Sequence, residues 1–165
     1  MTIKKLLISN RGEIASRIIK SAHDMGITCV AIYTEADKDT PYVREADQAF
    51  KLSDSYLNSK EILDIALKSN SDAIHPGYGF LSENAAFANQ VKKLNIKWVG
   101  PSSNAIKKMG DKLTAKEIAI KANVPTLPMT SDPKKANSIG YPILVKAAAG
   151  GGGKGMRIVE KAKDL

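Results

Sequence analysis

The chain has 165 residues, of which 43% are hydrophobic and 25% are charged, close to the averages of globular domains. This size and composition exclude a peptide hormone and a disulfide-knotted miniprotein, and no apolar run approaches the roughly 20 residues that span a bilayer. The N-terminal segment meets Glu13 after a short apolar run and is neither a signal peptide nor a transit peptide. We therefore expect a soluble, cytoplasmic protein with no membrane partner.

The formal net charge of +8 is unevenly distributed along the chain. Residues 1–91 carry a net charge of −2, whereas residues 92–165 carry +10. Such an asymmetry indicates an anionic partner. Nucleic-acid surfaces favour Arg forks and stacking aromatic rings, yet the chain has 4 Arg against 21 Lys and 5% aromatic residues. We therefore expect a nucleotide or another small anion rather than nucleic acid.

The first hundred residues alternate between strand and helix patterns. A helix that follows the turn at residues 10–12 places Ile14, Ile18 and Ile19 on one face and stops at Gly26. Further helices are predicted over 59–68 and 82–94, with Ser59 and Ser82 as N-caps, and strands are predicted over 3–9, 27–33, 49–52, 73–75 and 96–99. Alternating strands and helices of these lengths predict a doubly wound α/β domain with a parallel sheet.

The pattern changes after Gly100-Pro101, and we place a domain boundary between residues 110 and 111. Helices are expected over 103–109 and 113–122, and two strands over 141–147 and 156–160 flank a glycine-rich loop. The 55 residues from 111 onward are too few to supply a dependable core of their own. We expect the second domain to be cut short.

Five of the 12 glycines fall within residues 150–155, where missing side chains let backbone N–H groups approach an anion. A Walker A loop is excluded, because that motif would need Gly at position 148 and Ser or Thr at position 155. The chain has Ala148 and Gly155 there. A dinucleotide fingerprint is excluded because a strand, not a helix, follows. What remains is a glycine loop between antiparallel strands, as in protein kinases, with Lys146 as a phosphate-binding charge. A plain flexible linker is the alternative.

A second cluster, residues 74–84, lies at the carboxyl end of a predicted parallel strand and opens a helix, where α/β sheets present their ligand sites. His75 could serve as a base or be a hydrogen-bonded strand-end histidine, and Tyr78 could line a pocket or pack. Residues 10–13 occupy the equivalent strand end after the first strand. Their alternative interpretation is a turn and a helix start in which the helix dipole favours Glu13.

Metal and redox chemistry are not indicated by residue spacing. His23 and His75 show no metal-ligand spacing and no Cys pair lies nearby. The single Cys29 sits in the apolar run 27–32, which predicts a buried, inert thiol. We expect no metal site in this chain.

Taken together, these motifs resemble biotin carboxylase in order and spacing, over essentially the whole chain. The stretches that carry the resemblance are Asn10-Arg11-Gly12-Glu13-Ile14-Ala15, the run from His75 to Asn84, Gly100-Pro101, Met109-Gly110-Asp111-Lys112, and the run from Ala149 to Arg157. The resemblance implies that residues 1–110 form a Rossmann-like domain and that residues 111–165 begin an ATP-grasp domain with its glycine-rich lid. One departure is Ala149, where some members carry a further glycine.

The function implied by the resemblance is ATP-dependent carboxylation of biotin on a carrier protein, with bicarbonate activated through carboxyphosphate. The implied partners are the biotin carboxyl carrier protein or domain, a carboxyltransferase and a possible homodimer mate through Arg17. Tyr78 and Gly79 match the biotin side of the pocket. The implied ATP-binding residues are Lys112, Lys146, Gly150, Gly151, Gly152, Gly153, Lys154, Gly155 and Met156.

The family's Mg²⁺ ligands, bicarbonate-binding residues and general base are expected downstream of Leu165. The resemblance therefore assigns no catalytic residue and no metal ligand to this chain, and we expect it to be inactive alone. Two alternatives stay open: another ATP-grasp ligase, such as carbamoyl-phosphate synthetase or glycinamide ribonucleotide synthetase, and a non-catalytic module that binds nucleotide or a partner protein.

Overall fold

The computed structural model describes residues 2–146 and 155–165 of the chain. The chain divides into two compact units, Met1–Lys107 and Lys108–Leu165, and the division falls inside helix α5 (Ser103–Gly110). No helix in the described part of the chain is both long and apolar enough to cross a bilayer.

The first unit is built on a parallel sheet of five strands in the order β3-β2-β1-β4-β5. In the centre of the sheet, Leu7 lies opposite Val30 on one side and Ile74 on the other. The prediction of a doubly wound α/β domain is confirmed. The strands are β1 (Lys5–Ile8), β2 (Thr28–Tyr33), β3 (Gln48–Lys51), β4 (Ala73–His75) and β5 (Lys97–Trp98).

Helices cover both faces of this sheet, and side chains of β1 alternate between two core clusters. Leu6 and Ile8 pack in the cluster that contains Ile14, whereas Leu7 packs in the cluster that contains Phe87. Burying each such aliphatic side chain stabilises the fold by about 1.5–3 kcal/mol. The helices of this unit before α5 are α1 (Gly12–Asp24), α2 (Pro41–Glu45), α3 (Ser59–Lys68) and α4 (Ala85–Lys93).

Two predicted N-caps were wrong, because asparagine side chains cap these helices, although the predicted bounds of α3, residues 59–68, are confirmed. The Asn58 side chain accepts a hydrogen bond from the Glu61 backbone N–H, so Asn58 and not Ser59 is the N-cap of α3. Residues Phe80–Glu83 form a 3₁₀ turn, and α4 begins three residues later than predicted, with Asn84 as its cap in place of Ser82. Asparagine is among the most favourable N-cap residues.

The second unit contains one further α-helix and an antiparallel pair of strands. Helix α6 (Lys112–Lys121) is capped by the Asp111 carboxylate, which accepts a hydrogen bond from the Thr114 backbone N–H at 2.7 Å. A 3₁₀ helix (Pro133–Ser138) follows, before the strand pair. Strands β6 (Ile143–Lys146) and β7 (Met156–Val159) pair as the sequence predicts.

Candidate functional site

In the sheet of the first unit, the order in which the chain adds strands reverses between the central strand β1 and its neighbour β4. Chain order runs outward from β1 through β2 to β3, and then returns to β4 and β5 on the other side. Open α/β sheets bind ligands outside the carboxyl ends of the strands at such a switch point. The segments that follow β1 and β4 are the two clusters predicted from the sequence.

Asn10 fills the gap between these two segments. It is 2% exposed, and its side-chain amide donates to the backbone oxygens of Pro76 at 2.6 Å and Tyr78 at 2.8 Å. A Cβ atom at position 77 would lie 2.7 Å from Asn10 Nδ2, so any other residue there would force Asn10 to shift. The strand ends are therefore joined by protein atoms.

His75 is a hydrogen-bonded residue at the strand end. Its Nδ1 atom accepts a hydrogen bond from the Gly77 backbone N–H at 3.0 Å, and burial lowers the pKa of the ring. The side chain is therefore neutral at neutral pH, with its proton on Nε2, a tautomer that follows from the Nδ1 hydrogen bond. This geometry favours the structural alternative over the general base.

Tyr78 projects from the loop with 59% of its surface exposed. Its hydroxyl donates to the carboxylate of Glu13 in the first turn of α1. That hydrogen bond raises the pKa of Tyr78, whereas Arg17, one turn further along the exposed face of α1, acts in the opposite direction. Gly79 follows with φ of +64° and ψ of −164°, a conformation that is essentially confined to glycine. The structure thus brings Tyr78, Gly79 and Arg17 together at one edge of the sheet.

Arg11, at the same edge, is held by an acidic residue that the sequence analysis missed. Asp37 accepts hydrogen bonds from Arg11 Nε at 2.9 Å and from the Tyr56 hydroxyl at 2.6 Å. Its side chain is 5% exposed, and the Arg11 guanidinium lowers the pKa of its carboxyl group despite the opposing effect of burial. The only feature of the sequence that could have pointed to Asp37 was its position in the turn after β2.

A shallow cleft of about 270 Å³ opens beside this ion pair. Its wall includes the Tyr56 and Phe80 rings, whose centroids lie 5.5 Å apart, and the Arg11 guanidinium lies over the Tyr56 ring. Because Asp37 neutralises Arg11, the cleft is poorly suited to bind an anion. The pair instead fixes the turn that connects β1 to α1.

The implied ATP-binding residues lie in the second unit or outside the described residues. Lys146 ends β6 opposite Met156 at the start of β7, and both side chains are exposed. Lys112 is the first residue of α6, and Gly155 has φ of +75°. Gly150, Gly151, Gly152, Gly153 and Lys154 lie outside the described residues.

The described residues include no group of three carboxylates close enough together to bind Mg²⁺. Within residues 2–146 and 155–165, the one group of three metal-ligating side chains that lie close together consists of His23, Cys29 and Asp47. Mg²⁺ prefers carboxylate, phosphate and water oxygens, and a thiol with an imidazole suits zinc-like ions instead.

Matches to two protein families together cover almost the whole chain. The family described as biotin carboxylase, N-terminal domain, matches residues 2–106. The family described as carbamoyl-phosphate synthase L chain, ATP binding domain, matches residues 111–165. The two matches follow one another in the chain without overlap.

Curated relatives and solved structures give the same picture. Biotin carboxylase 1 of Bacillus subtilis is 49% identical over 99% of this chain and 39% of its own length. Pyruvate carboxylase of Staphylococcus aureus is 45% identical over 99% of this chain and 15% of its own length. The chain thus spans well under half the length of these relatives.

Among solved structures, biotin carboxylase of Campylobacter jejuni in complex with β-γ-ATP superposes with a TM-score of 0.94 at 46% identity, over 99% of this chain and 40% of that one. The biotin carboxylase domain dimer of 2-oxoglutarate carboxylase from Hydrogenobacter thermophilus also gives a TM-score of 0.94, at 42% identity, over 99% of this chain and 39% of that one. The latter structure contains MgADP, ADP and bicarbonate.

Proposed function

Because this chain belongs to the biotin carboxylase family, we propose that it forms part of an ATP-dependent ligase that carboxylates biotin on a carrier protein with bicarbonate. The observation that carries this proposal is the succession of the two family matches, over residues 2–106 and 111–165, in one chain. We assign residues 1–110 to the Rossmann-like domain and residues 111–165 to the start of the ATP-grasp domain. The complete reaction belongs to the full length of such an enzyme.

The nucleotide side of the site is assigned to the second unit. Lys146 stands at the end of β6, before the glycine-rich segment in the sequence, and we assign its ammonium group to compensate phosphate charge. Met156, its partner across the hairpin, is assigned a place beside the nucleotide. The complete assigned set is Lys112, Lys146, Gly150, Gly151, Gly152, Gly153, Lys154, Gly155 and Met156.

The biotin side is assigned to the carboxyl edge of the sheet. The hydrogen bond to Glu13 fixes the Tyr78 ring while most of that ring stays exposed, so it offers a positioned apolar face to a bicyclic ligand. Gly79 keeps the adjacent backbone free of a side chain. Arg17, exposed on the same side of α1, is assigned to a homodimer contact. A biotin carboxyl carrier protein and a carboxyltransferase are the further partners.

We propose that residues other than those described would hold Mg²⁺, because no three carboxylates lie together within residues 2–146 and 155–165. Bound to ATP, the ion would neutralise charge on the transferring phosphoryl group. We propose that turnover needs the further residues that the relatives possess, and that residues 1–165 alone are inactive. Cytoplasmic location is part of the same proposal.

Another ATP-grasp ligase is the second candidate, because the second unit matches the ATP-binding domain of carbamoyl-phosphate synthase. The match of residues 2–106 to the biotin carboxylase N-terminal domain weighs against it. A non-catalytic nucleotide-binding module remains the third.

A chimera tests these candidates. Residues 1–165 are joined to the remaining part of the Bacillus subtilis biotin carboxylase, and biotin-dependent ATP hydrolysis is measured. We expect turnover that Lys146→Ala lowers by about 100-fold in kcat/KM for ATP, whereas Lys163→Ala, an exposed lysine elsewhere in the second unit, changes it little.

Three outcomes separate the candidates. ATP hydrolysis that does not depend on biotin would favour another ligase. A folded chimera that binds ATP without turnover would favour the binding module. Turnover unaffected by Lys146→Ala would remove that residue from the nucleotide site while leaving the family function intact.

A further inference from the structure

Three side chains of metal-ligating types meet at the amino edge of the sheet, away from the carboxyl edge that carries Tyr78. His23 lies in the last turn of α1, Cys29 near the start of β2, and Asp47 directly before β3. The His23 ring nitrogen, the Cys29 sulfur and an Asp47 carboxylate oxygen all lie within 4.8 Å of one another. The proposed function makes no use of this group.

We propose that His23, Cys29 and Asp47 bind a zinc-like divalent transition-metal ion, with water from solvent as the fourth ligand. Imidazole nitrogen, thiolate sulfur and carboxylate oxygen are the donors that zinc takes in proteins. Tetrahedral Zn²⁺ bonds of about 2.0–2.3 Å place neighbouring ligand atoms about 3.3–3.5 Å apart. The three side chains therefore have to close by little more than about 1 Å.

Two contacts orient the group in advance. Asp47 Oδ2 lies 2.9 Å from His23 Nε2 and 2.7 Å from the Cys29 backbone nitrogen, which donates to it. The same carboxylate thus already faces the histidine and the strand that carries the cysteine. A bound ion would replace the direct contact between Asp47 and His23, because two ligand atoms on one tetrahedral ion stand about 3.3 Å apart.

Two of the three side chains face solvent, and the third is buried. Cys29 is fully buried, whereas the His23 and Asp47 side chains are 40% and 45% exposed. The two exposed side chains can adjust their rotamers while β2 fixes the sulfur. Burial raises the pKa of the Cys29 thiol to about 11, so the ion must displace the thiol proton, which passes to solvent.

The spacing of these three residues along the sequence did not indicate a metal site, because they come from three different elements of the fold. The sequence shows no metal-ligand spacing around His23, but the fold places Cys29 and Asp47 beside it. A bound ion would link the end of α1 to the starts of β2 and β3. Its role is therefore to stabilise the first unit and not to take part in phosphoryl transfer.

Cobalt(II) titration of the 165-residue chain under reducing conditions tests the proposal. Tetrahedral thiolate coordination gives a sulfur-to-cobalt charge-transfer band, and Cys29 is the single cysteine in the chain. We expect this band to saturate near one equivalent, to disappear in Cys29→Ser, and to need at least about tenfold more cobalt in His23→Ala. Asp24→Asn, an exposed carboxylate at the end of α1, is the matched control and should leave the titration unchanged.

A stability measurement covers the case in which Cys29→Ser folds poorly. Zinc in excess should raise Tm of the wild-type chain by about 4 °C or more, and this rise should be lost in His23→Ala and in Asp47→Asn. Absence of the charge-transfer band in the wild type would overturn the proposal. So would a band or a Tm rise that survives in both His23→Ala and Asp47→Asn.

Discussion

The Nδ2 atom of Asn10 lies 2.7 Å from the place where a Cβ atom at position 77 would stand. One residue follows β1 and the other follows β4, so this contact joins the two strands at the point where the sheet reverses. The site that many α/β sheets use for a nucleotide is therefore occupied by a side chain of the protein itself. This contact agrees with our proposal that the second unit binds the nucleotide.

Gly77→Ala should destabilise the first unit by about 3 kcal/mol, because it combines the contact with Asn10 with the cost of φ of +64° for a side chain. Gly26→Ala is the matched control, since Gly26 has φ of +70° but nothing within 4 Å of its added Cβ. It should cost about 1 kcal/mol. Urea unfolding of both variants measures the difference, and equal losses would show that the contact with Asn10 contributes nothing.

Asp37→Ala should cost about 3 kcal/mol, because it leaves the Arg11 guanidinium, the Tyr56 hydroxyl and the Thr34 hydroxyl without their shared acceptor. Arg11→Ala should cost about 1 kcal/mol, since its side chain is 48% exposed and Asp37 keeps its hydroxyl donors. Chemical denaturation of the two single variants gives the comparison. A larger loss in Arg11→Ala than in Asp37→Ala would contradict this account.

The same carboxyl group makes stability depend on pH. Because the pKa of Asp37 is lower in the folded chain than in the unfolded chain, its contribution is present above the unfolded value of about 3.9 and is lost as pH falls through the folded pKa. In Asp37→Asn this part of the acid sensitivity should be absent. The free energy of unfolding is measured for wild type and variant from pH 6 down to the pH at which the chain unfolds. The difference between the two curves isolates the contribution of Asp37 from that of the other carboxylates. A difference that stays constant over this range would refute the assignment.

Asn84→Ala should destabilise the first unit by about 1 kcal/mol, because it removes the acceptor for the Phe87 backbone N–H at the start of α4. Ser82→Ala should change the stability by less than about 0.5 kcal/mol, since Ser82 precedes the helix and does not cap it. Thermal unfolding of the two variants decides between them. A greater loss in Ser82→Ala would restore the helix start predicted from the sequence.

Tyr78→Ala should lower kcat/KM for biotin by about tenfold in the chimera, because the ring is assigned to the biotin side, and it should leave KM for ATP unchanged. Tyr78→Phe keeps the ring and removes the hydrogen bond to Glu13, so it should have the smaller effect. Steady-state kinetics with biotin and ATP varied in turn provide the test. Equal effects on both substrates would place Tyr78 outside the biotin pocket.

The order of strands and helices was predictable because it depends on local patterns. Apolar runs and periodic faces mark β2 and α1, and the same patterns mark the antiparallel pair β6 and β7. Helix α2, five residues long, was missed because it is too short to show a helical period.

The contacts that organise the candidate site were not predictable, because they join residues distant in sequence. Arg11 and Asp37 lie 26 positions apart, and Asn10 and Pro76 lie 66 apart. Residue types alone marked Asn10, Arg11 and Tyr78 as candidates at strand ends. Nothing local distinguishes Asp37 from the neighbouring acidic residues, and only the fold shows that it is the one that Arg11 meets.

The middle strand of the sheet is the first of its five strands in chain order. Leu7 of β1 pairs with Val30 of β2 and Ile74 of β4, so one edge of β1 finds its partner early and the other has none until β4 has been synthesised. Parallel pairing between such distant segments slows folding and leaves the nascent chain open to aggregation. Until β4 has been synthesised, a sheet formed by β1, β2 and β3 therefore presents the unpaired edge of β1.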